Sequence, residues 1–355
     1  MNNEFEIPYP RLLHPASTYP RYPTFVRNIY PVQVSIDLNI IPLSTATVMI
    51  PHGETIPARD YVELFTSRVT ADNPTGSVGI FRARNPQDTY EGYTSEVELE
   101  SALVEIGDYL VKTKYEAMMS APDAITALMS HYTGTYWTLD LNSLSVFDGE
   151  RLIGLTCDYQ NILEALLSVM EQLPAYYITM DYSGLPWKLG FAKRDTVVSA
   201  EGRLSRNIES LTIDHDDTDI CTRAYYRVGE TTAYMDADAY YQNKNGVVER
   251  MVAEGDVEAE VLLQVTDYLN KHRDPKVTIE ISADDLSNVT HEDLDTFTIG
   301  KMMKLEILDY RVDVSRNITQ LSWDDVYGAP RRVTVTLEEE PDAQFNFVHP
   351  EEQSE

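Results

Sequence analysis

A chain of 355 residues has room for two to four small domains, with cores that need no disulfide or metal to hold them. Its 58 acidic residues outnumber 28 basic ones, and the formal net charge of -30 is spread along the chain, which argues against charge-driven binding of nucleic acid or an anionic membrane. Cys157 and Cys221 are the only cysteines, too few for a disulfide framework or a zinc site, and this fits manufacture in a reducing cytoplasm.

The N-terminal segment, residues 1–30, interleaves Pro8, Pro10, Pro15, Pro20 and Pro23 with Tyr9, Tyr19, Tyr22 and Phe25. Proline at this density predicts an extended arm, either without packed structure or laid with its rings on a neighbouring subunit. The segment lacks the basic and apolar regions of a signal peptide, which predicts no export by that route. No window reaches the roughly 18 apolar residues of a membrane span.

Strand periodicity starts at Pro31. Val32, Val34, Ile36 and Leu38 alternate with polar residues, followed by Ala46 to Ile50, Tyr61 to Val69, Val78 to Arg84 and Glu91 to Leu103. Short strands at this spacing predict a small antiparallel barrel or sandwich over residues 31–111. The period then changes. Ala121-Pro122-Asp123 opens a short amphipathic helix, and Asp158 opens a stronger one running through Leu166 and Met170 to Pro174. With strands at Tyr176 to Tyr182 and Trp187 to Lys193, residues 112–202 read as an α+β module.

The stretch from Arg206 to Gly229 alternates twice, around the polar run Asp214-His215-Asp216-Asp217-Thr218-Asp219, and predicts a hairpin opening a second barrel-like domain over 203–338. A helix from Glu258 to Lys271 is expected to cross an open barrel end. Strands resume at Lys276 to Ile281, Lys304 to Tyr310, Asn317 to Asp324 and Arg332 to Glu338. The acidic, proline-broken tail 339–355 is expected to be disordered. No fixed-period repeat is visible. The fold class is therefore α+β, mainly β, with two small β-barrel-like domains flanking an α+β module.

Few residues ask for chemistry. The Asp214–Asp219 run could hold calcium, but it lacks the glycine and distal glutamate of an EF-hand loop, and a solvated turn is the better reading. His215 has no second His or Cys at ligand spacing. His131-Tyr132-Thr133-Gly134-Thr135-Tyr136-Trp137 could stack on sugar, although aromatic residues between a helix and a strand are more often core. Tyr176, Tyr177 and Trp187 read as buried strand residues. Acid pairs for glycoside hydrolysis can be picked at will from so many carboxylates, so they carry no information. No G-x-S-x-G, Walker, dinucleotide or H-E-x-x-H motif occurs. No residue is assigned to catalysis, to a cofactor or to a metal, and no enzyme is expected.

Three stretches carry a family resemblance. Gly79-Ile80-Phe81 leads through the run from Tyr93 to Val111, a strand followed by an acidic segment ending in a repeated apolar pair. Arg206-Asn207-Ile208-Glu209-Ser210-Leu211 and Thr222-Arg223-Ala224-Tyr225-Tyr226-Arg227-Val228-Gly229 form the second. The third comprises Ile299-Gly300-Lys301-Met302, Arg316-Asn317-Ile318-Thr319-Gln320-Leu321-Ser322-Trp323-Asp324 and Pro330-Arg331-Arg332-Val333-Thr334-Val335. In this order they resemble the tail hub, or tail-associated, proteins of bacteriophages and related contractile injection systems, over roughly residues 30 to 340.

The resemblance implies a structural hub of the virion tail, assembled in the host bacterial cytoplasm. It implies a homotrimer in which two barrels per subunit alternate to imitate sixfold symmetry. Its partners would be the distal tail or tail tube protein above, the C-terminus of the tape measure protein, and a spike or tip protein below. DNA would pass through the lumen without specific binding, past a negative wall. Many relatives add a C-terminal endopeptidase or lysozyme-like domain, and none is expected after the second barrel here. The alternatives are a tail-associated peptidoglycan hydrolase and a carbohydrate-binding adhesin using Tyr132, Tyr136 and Trp137.

Overall fold

The computed structural model describes residues 6–15, 22–41, 43–68, 75–87, 94–203, 206–255, 258–286, 290, 296–307, 312–338 and 340–341. The first β-rich segment supplies β1 (Arg11–Pro15), β2 (Pro23–Asn28), β3 (Gln33–Asn39), β4 (Thr45–Pro51), β5 (Tyr61–Phe65), β6 (Ser77–Gln87) and β7 (Thr94–Ser101). A mixed segment follows, with β8 (Tyr115–Met119), α1 (Ala121–Met129), β9 (Trp137–Leu139), β10 (Ile153–Cys157), α2 (Ile162–Glu171), β11 (Tyr176–Asp181) and β12 (Trp187–Lys193). The remainder holds β13 (Val198–Arg203), β14 (Ile208–Asp216), β15 (Arg223–Val228), β16 (Thr231–Asp236), α3 (Ala239–Asn245), β17 (Glu249–Gly255), α4 (Glu258–His272), β18 (Lys276–Asp284), β19 (Met302–Ile307), β20 (Val312–Trp323) and β21 (Arg332–Leu337).

The chain is mainly β, and among the described residues three separate apolar clusters form its cores. The largest gathers alternate residues of both β-rich segments, among them Val34, Ile36, Val48, Val97, Ile279, Ile281, Leu321, Trp323 and Val335. These strands lie in one 14-stranded sheet, and the join between the two segments is the antiparallel pairing of β3 with β20. No closed barrel is found among the described residues. The second cluster fills the mixed segment, where α1, α2 and the β9, β11 and β12 sheet meet. α1 starts where the sequence predicts, with Ser120 accepting the Asp123 N–H at 3.3 Å, whereas α2 starts at Ile162 and not at Asp158, because Asn161 is the residue that caps it by accepting the Glu164 N–H at 2.7 Å. The third cluster, around Cys221, Ala224, Ala253, Val261, Val265 and Leu269, packs α4 on the small sheet of β15, β16 and β17.

Further expectations are corrected. The stretch from Arg206 to Gly229 is not a hairpin, because β14 pairs with β18 in the large sheet whereas β15 pairs with β16 and β17 in another. Alternation tells which face of a strand is buried and says nothing of its partner. The helix from Glu258 forms, but it covers that small sheet and its own core. The proline-rich arm, in its described residues, is two strands: β1 pairs with β2 and with β5. Its prolines are compatible with this because Pro15 and Pro23 sit opposite one another at strand ends, where a missing N–H costs little. Of the tail expected to be disordered, Glu340–Pro341 form a short strand, β22, that pairs with the start of β18 and is the fourteenth strand of the large sheet; the tail from residue 342 lies outside the described residues.

The two β-rich segments share one strand order. One set runs β2-β1-β5-β6-β7-β4-β3 and the other β13-β19-β20-β21-β18-β14. With β1 set aside, the first, second, third, fourth, fifth and sixth strand of each set take the same places. The directions agree too: β13 is parallel to β19, and β2 is parallel to β5 because each is antiparallel to the intervening β1.

The match extends to single residues. Arg59 donates to the Ala83 carbonyl at 2.8 Å and Ala83 donates back to Asp60 at 2.8 Å, while Gly300 donates to Ile318 and Ile318 to Lys301, both at 2.9 Å. Arg59 and Gly300 take the same left-handed turn, with φ of 69° and 81°. Glycine is required only at the second, where a Cβ would lie 2.6 Å from the Tyr177 ring. Past the turn, Ala83 and Pro86 pair with Leu99 and Val97, and Ile318 and Leu321 with Leu337 and Val335, each time with one extra residue on the long strand.

Candidate assembly surface

The residues singled out for chemistry are mostly used inside the molecule. Asp214, His215 and Asp216 belong to β14, so their side chains alternate between its two faces and do not converge on one point. The Asp216 carboxylate accepts the Thr218 N–H at 2.8 Å, and its hydrogen bonds to Thr218 hold its pKa below the ordinary value. Among the described residues, no three His, Cys, Asp or Glu side chains are grouped to hold a metal. Cys157 and Cys221 are buried, and burial raises both thiols, which keeps them protonated and poorly nucleophilic.

In the aromatic segment 131–137 the two residues nearest β9 and at its start, Tyr136 and Trp137, are core. Tyr136 and Trp137 are buried and join Tyr61, Tyr182 and Trp187 in a ring cluster with centroids 5.4–5.7 Å apart. The Tyr132 hydroxyl donates to Glu105 at 2.7 Å and accepts the N–H groups of Tyr136 and Trp137 at 3.2 and 3.3 Å. It therefore fixes the chain where it leaves α1, and these rings offer no exposed platform to a sugar.

Sequence reasoning missed Glu105, whose signal is weak because it is one acid among many. It is buried, and desolvation raises its carboxyl above the ordinary value, opposed by hydrogen bonds from Tyr132 and Tyr109. An acid raised in the folded state holds its proton more tightly there than in the unfolded chain. Its contribution to stability is therefore fully present below the unfolded value and is lost as pH rises through the folded value. Glu105→Gln keeps an acceptor for Tyr132 and removes the titration. Urea unfolding from about pH 4 to about pH 7 is expected to show a shallower fall in stability for the variant; equal slopes for both proteins would contradict this.

Beside the charged surface, some apolar residues and strand edges are exposed. Phe25, Val26, Tyr30 and Val32, in and after β2, are each more than half exposed. Ile41 and Leu43, also largely exposed, border a cleft of about 380 Å³ shared with Leu167 and Met170 of α2 and with Tyr176. β14 ends the path of the large sheet, with Leu211 and Ile213 only partly covered. Edges of this kind are places where another chain can add strands.

The fold of this chain, taken as a whole, is shared with solved structures of phage tail proteins. The solved structures that share it include the 43 kDa tail protein of prophage MuSo2 from Shewanella oneidensis, at a TM-score of 0.62 and 11% identity, covering 94% of this chain and 98% of that one. The tail protein from Neisseria meningitidis matches at 0.60 and 11%, covering 94% and 97%, and the prophage tail protein gp18 from Listeria monocytogenes at 0.56 and 9%, covering 93% and 94%. At these identities the likeness is one of fold. No protein-family model and no curated protein matches the sequence.

Proposed function

We propose that this chain is a structural hub of a phage tail tip or baseplate, built as a ring of three copies. In that ring each β set curls into a barrel-like wall segment, so that three chains supply six near-equivalent segments. The ring would join the sixfold tube above to a threefold spike or tip below, meet the end of the tape measure protein, and let DNA pass. It would work in the virion tail after assembly in the host cytoplasm. The observation that carries this reading is the common strand order of the two sets, down to the turn at Arg59 and Gly300 and the extra residue before Pro86 and Leu321.

Two copies of one topology in a chain are what a threefold object needs to meet a sixfold one, because each set can present the same contact to the tube. The charge fits passage of DNA: with a net charge of -30, a wall would repel phosphates and would not retain them. We propose no catalytic step. The adhesin reading is not favoured, because Tyr136 and Trp137 are buried. Mass measurement across a concentration series, followed by electron microscopy of tails carrying a tagged chain, tests the hub. Three copies on the tube axis are expected, and a position on the tail's periphery would overturn it.

A further inference from the structure

The in-chain join between the two sets indicates how one copy meets the next. β3 ladders with the end of β20 through Asn39 and Gln320, Leu38 and Leu321, Asp37 and Ser322, and Ile36 and Trp323. Laterally, Val34, Val48, Val97 and Pro86 form one row across β3, β4, β7 and β6. Leu211, Ile281, Val335 and Leu321 form the matching row across β14, β18, β21 and β20. β14 is thus the counterpart of β3, and β6 of β20.

The counterpart of the join is missing from the single chain. β14 ends its path, and beyond Ala83 no described strand pairs with the edge of β6 that corresponds to the one β20 gives to β3. We propose that β14 of one copy pairs with the end of β6 of the next, repeating the β3 and β20 join between molecules, with Asp214 opposite Gln87 and Asp216 opposite Asn85. This rests on the ring reading and names its contact. Two further observations support it. Val34 and Ile36 are buried, whereas their counterparts Leu211 and Ile213 are only partly covered, as expected of a row that lacks its neighbour. The Arg84 side chain is 65% exposed, with Glu100 3.9 Å away, and would lie near Asp214 and Asp216 of the adjoining copy.

Pro86 offers a carbonyl but no N–H at the place of Leu321, so the ladder between copies would be weaker than the one within the chain. It would also discourage pairing with unrelated strands. The contact joins unlike surfaces head to tail, which closes into a ring when the rotation permits.

Engineered cysteines test it. D214C combined with Q87C, oxidised at high protein concentration, is expected to give covalent dimers and trimers on a non-reducing gel, and neither single variant is expected to do so. D37C with S322C, the matching pair within the chain, serves as the control and should close without a change in mass. I213R is expected to shift the native protein to monomer. An oligomer that persists in I213R and does not cross-link overturns this contact while leaving the ring intact. A chain that is monomeric in solution and does not cross-link even in assembled tails overturns both.

Discussion

Trp187→Ala is expected to destabilise the protein by about 3–5 kcal/mol, a large share of the roughly 5–15 kcal/mol that holds a typical domain. Trp187 is 2% exposed and its ring lies 5.4–5.7 Å from those of Tyr61, Tyr136, Trp137 and Tyr182. Its backbone N–H also donates to Tyr136 at 2.7 Å, and β12 pairs in parallel with β9 at this residue. Because Tyr61 belongs to β5, the cluster ties the mixed segment to the large sheet, and truncation opens a cavity where the two meet. Trp187→Phe keeps an aromatic ring and should lose less. Chemical denaturation with near-ultraviolet circular dichroism reads both; a loss below about 1 kcal/mol for the alanine variant would contradict the packing described.

Trp323→Ala is expected to cost a similar amount, about 3–5 kcal/mol, at a different place. Trp323 is the last residue of β20, pairs with Ile36, and lies in the same buried cluster as Val34, Ile36 and Val326. The loss should be local as well as global. Amide exchange in β3 and the end of β20 is expected to speed up, while β9 and β12 keep their protection. The two tryptophans sit in separate clusters, so their losses should add to within about 0.5 kcal/mol in the double variant. Strong coupling between them would mean that the two cores are one cooperative packing unit.

Both tryptophans were legible as strand residues, but their neighbours were not. Alternation around Trp187 and Trp323 predicts a half-buried strand from short-range spacing alone. That Trp187 meets Tyr61, or that Trp323 lies opposite Ile36, depends on residues far apart in the chain. The same limit explains the corrected hairpin. Its two arms alternate as a hairpin would, yet Cys221 donates to the His272 carbonyl at 2.7 Å and starts a separate module. The aromatic segment reads as ambiguous in sequence because ring density serves a core and a binding face equally well; burial of Tyr136 and Trp137 decides it.

The strand repeat was hidden for a physical reason. Counterparts such as Val34 and Leu211, or Asp60 and Lys301, share a place in the sheet and need not share a side chain. The segment from β15 to α4 interrupts only the second set, and β1 enters only the first, so the spacing between counterparts drifts along the chain.

By itself, the sequence determined the local elements, the mainly β composition, the α1, α2 and α4 helices and the strongly acidic charge, because these follow from spacing, capping and residue type. Only the tertiary structure decided which strands are neighbours, that the two β-rich segments share one order, and which edges are left for another molecule. Pairing joins backbone groups whose hydrogen-bonding capacity is nearly the same at every non-proline residue, so the choice of partner is made by packing across the whole fold.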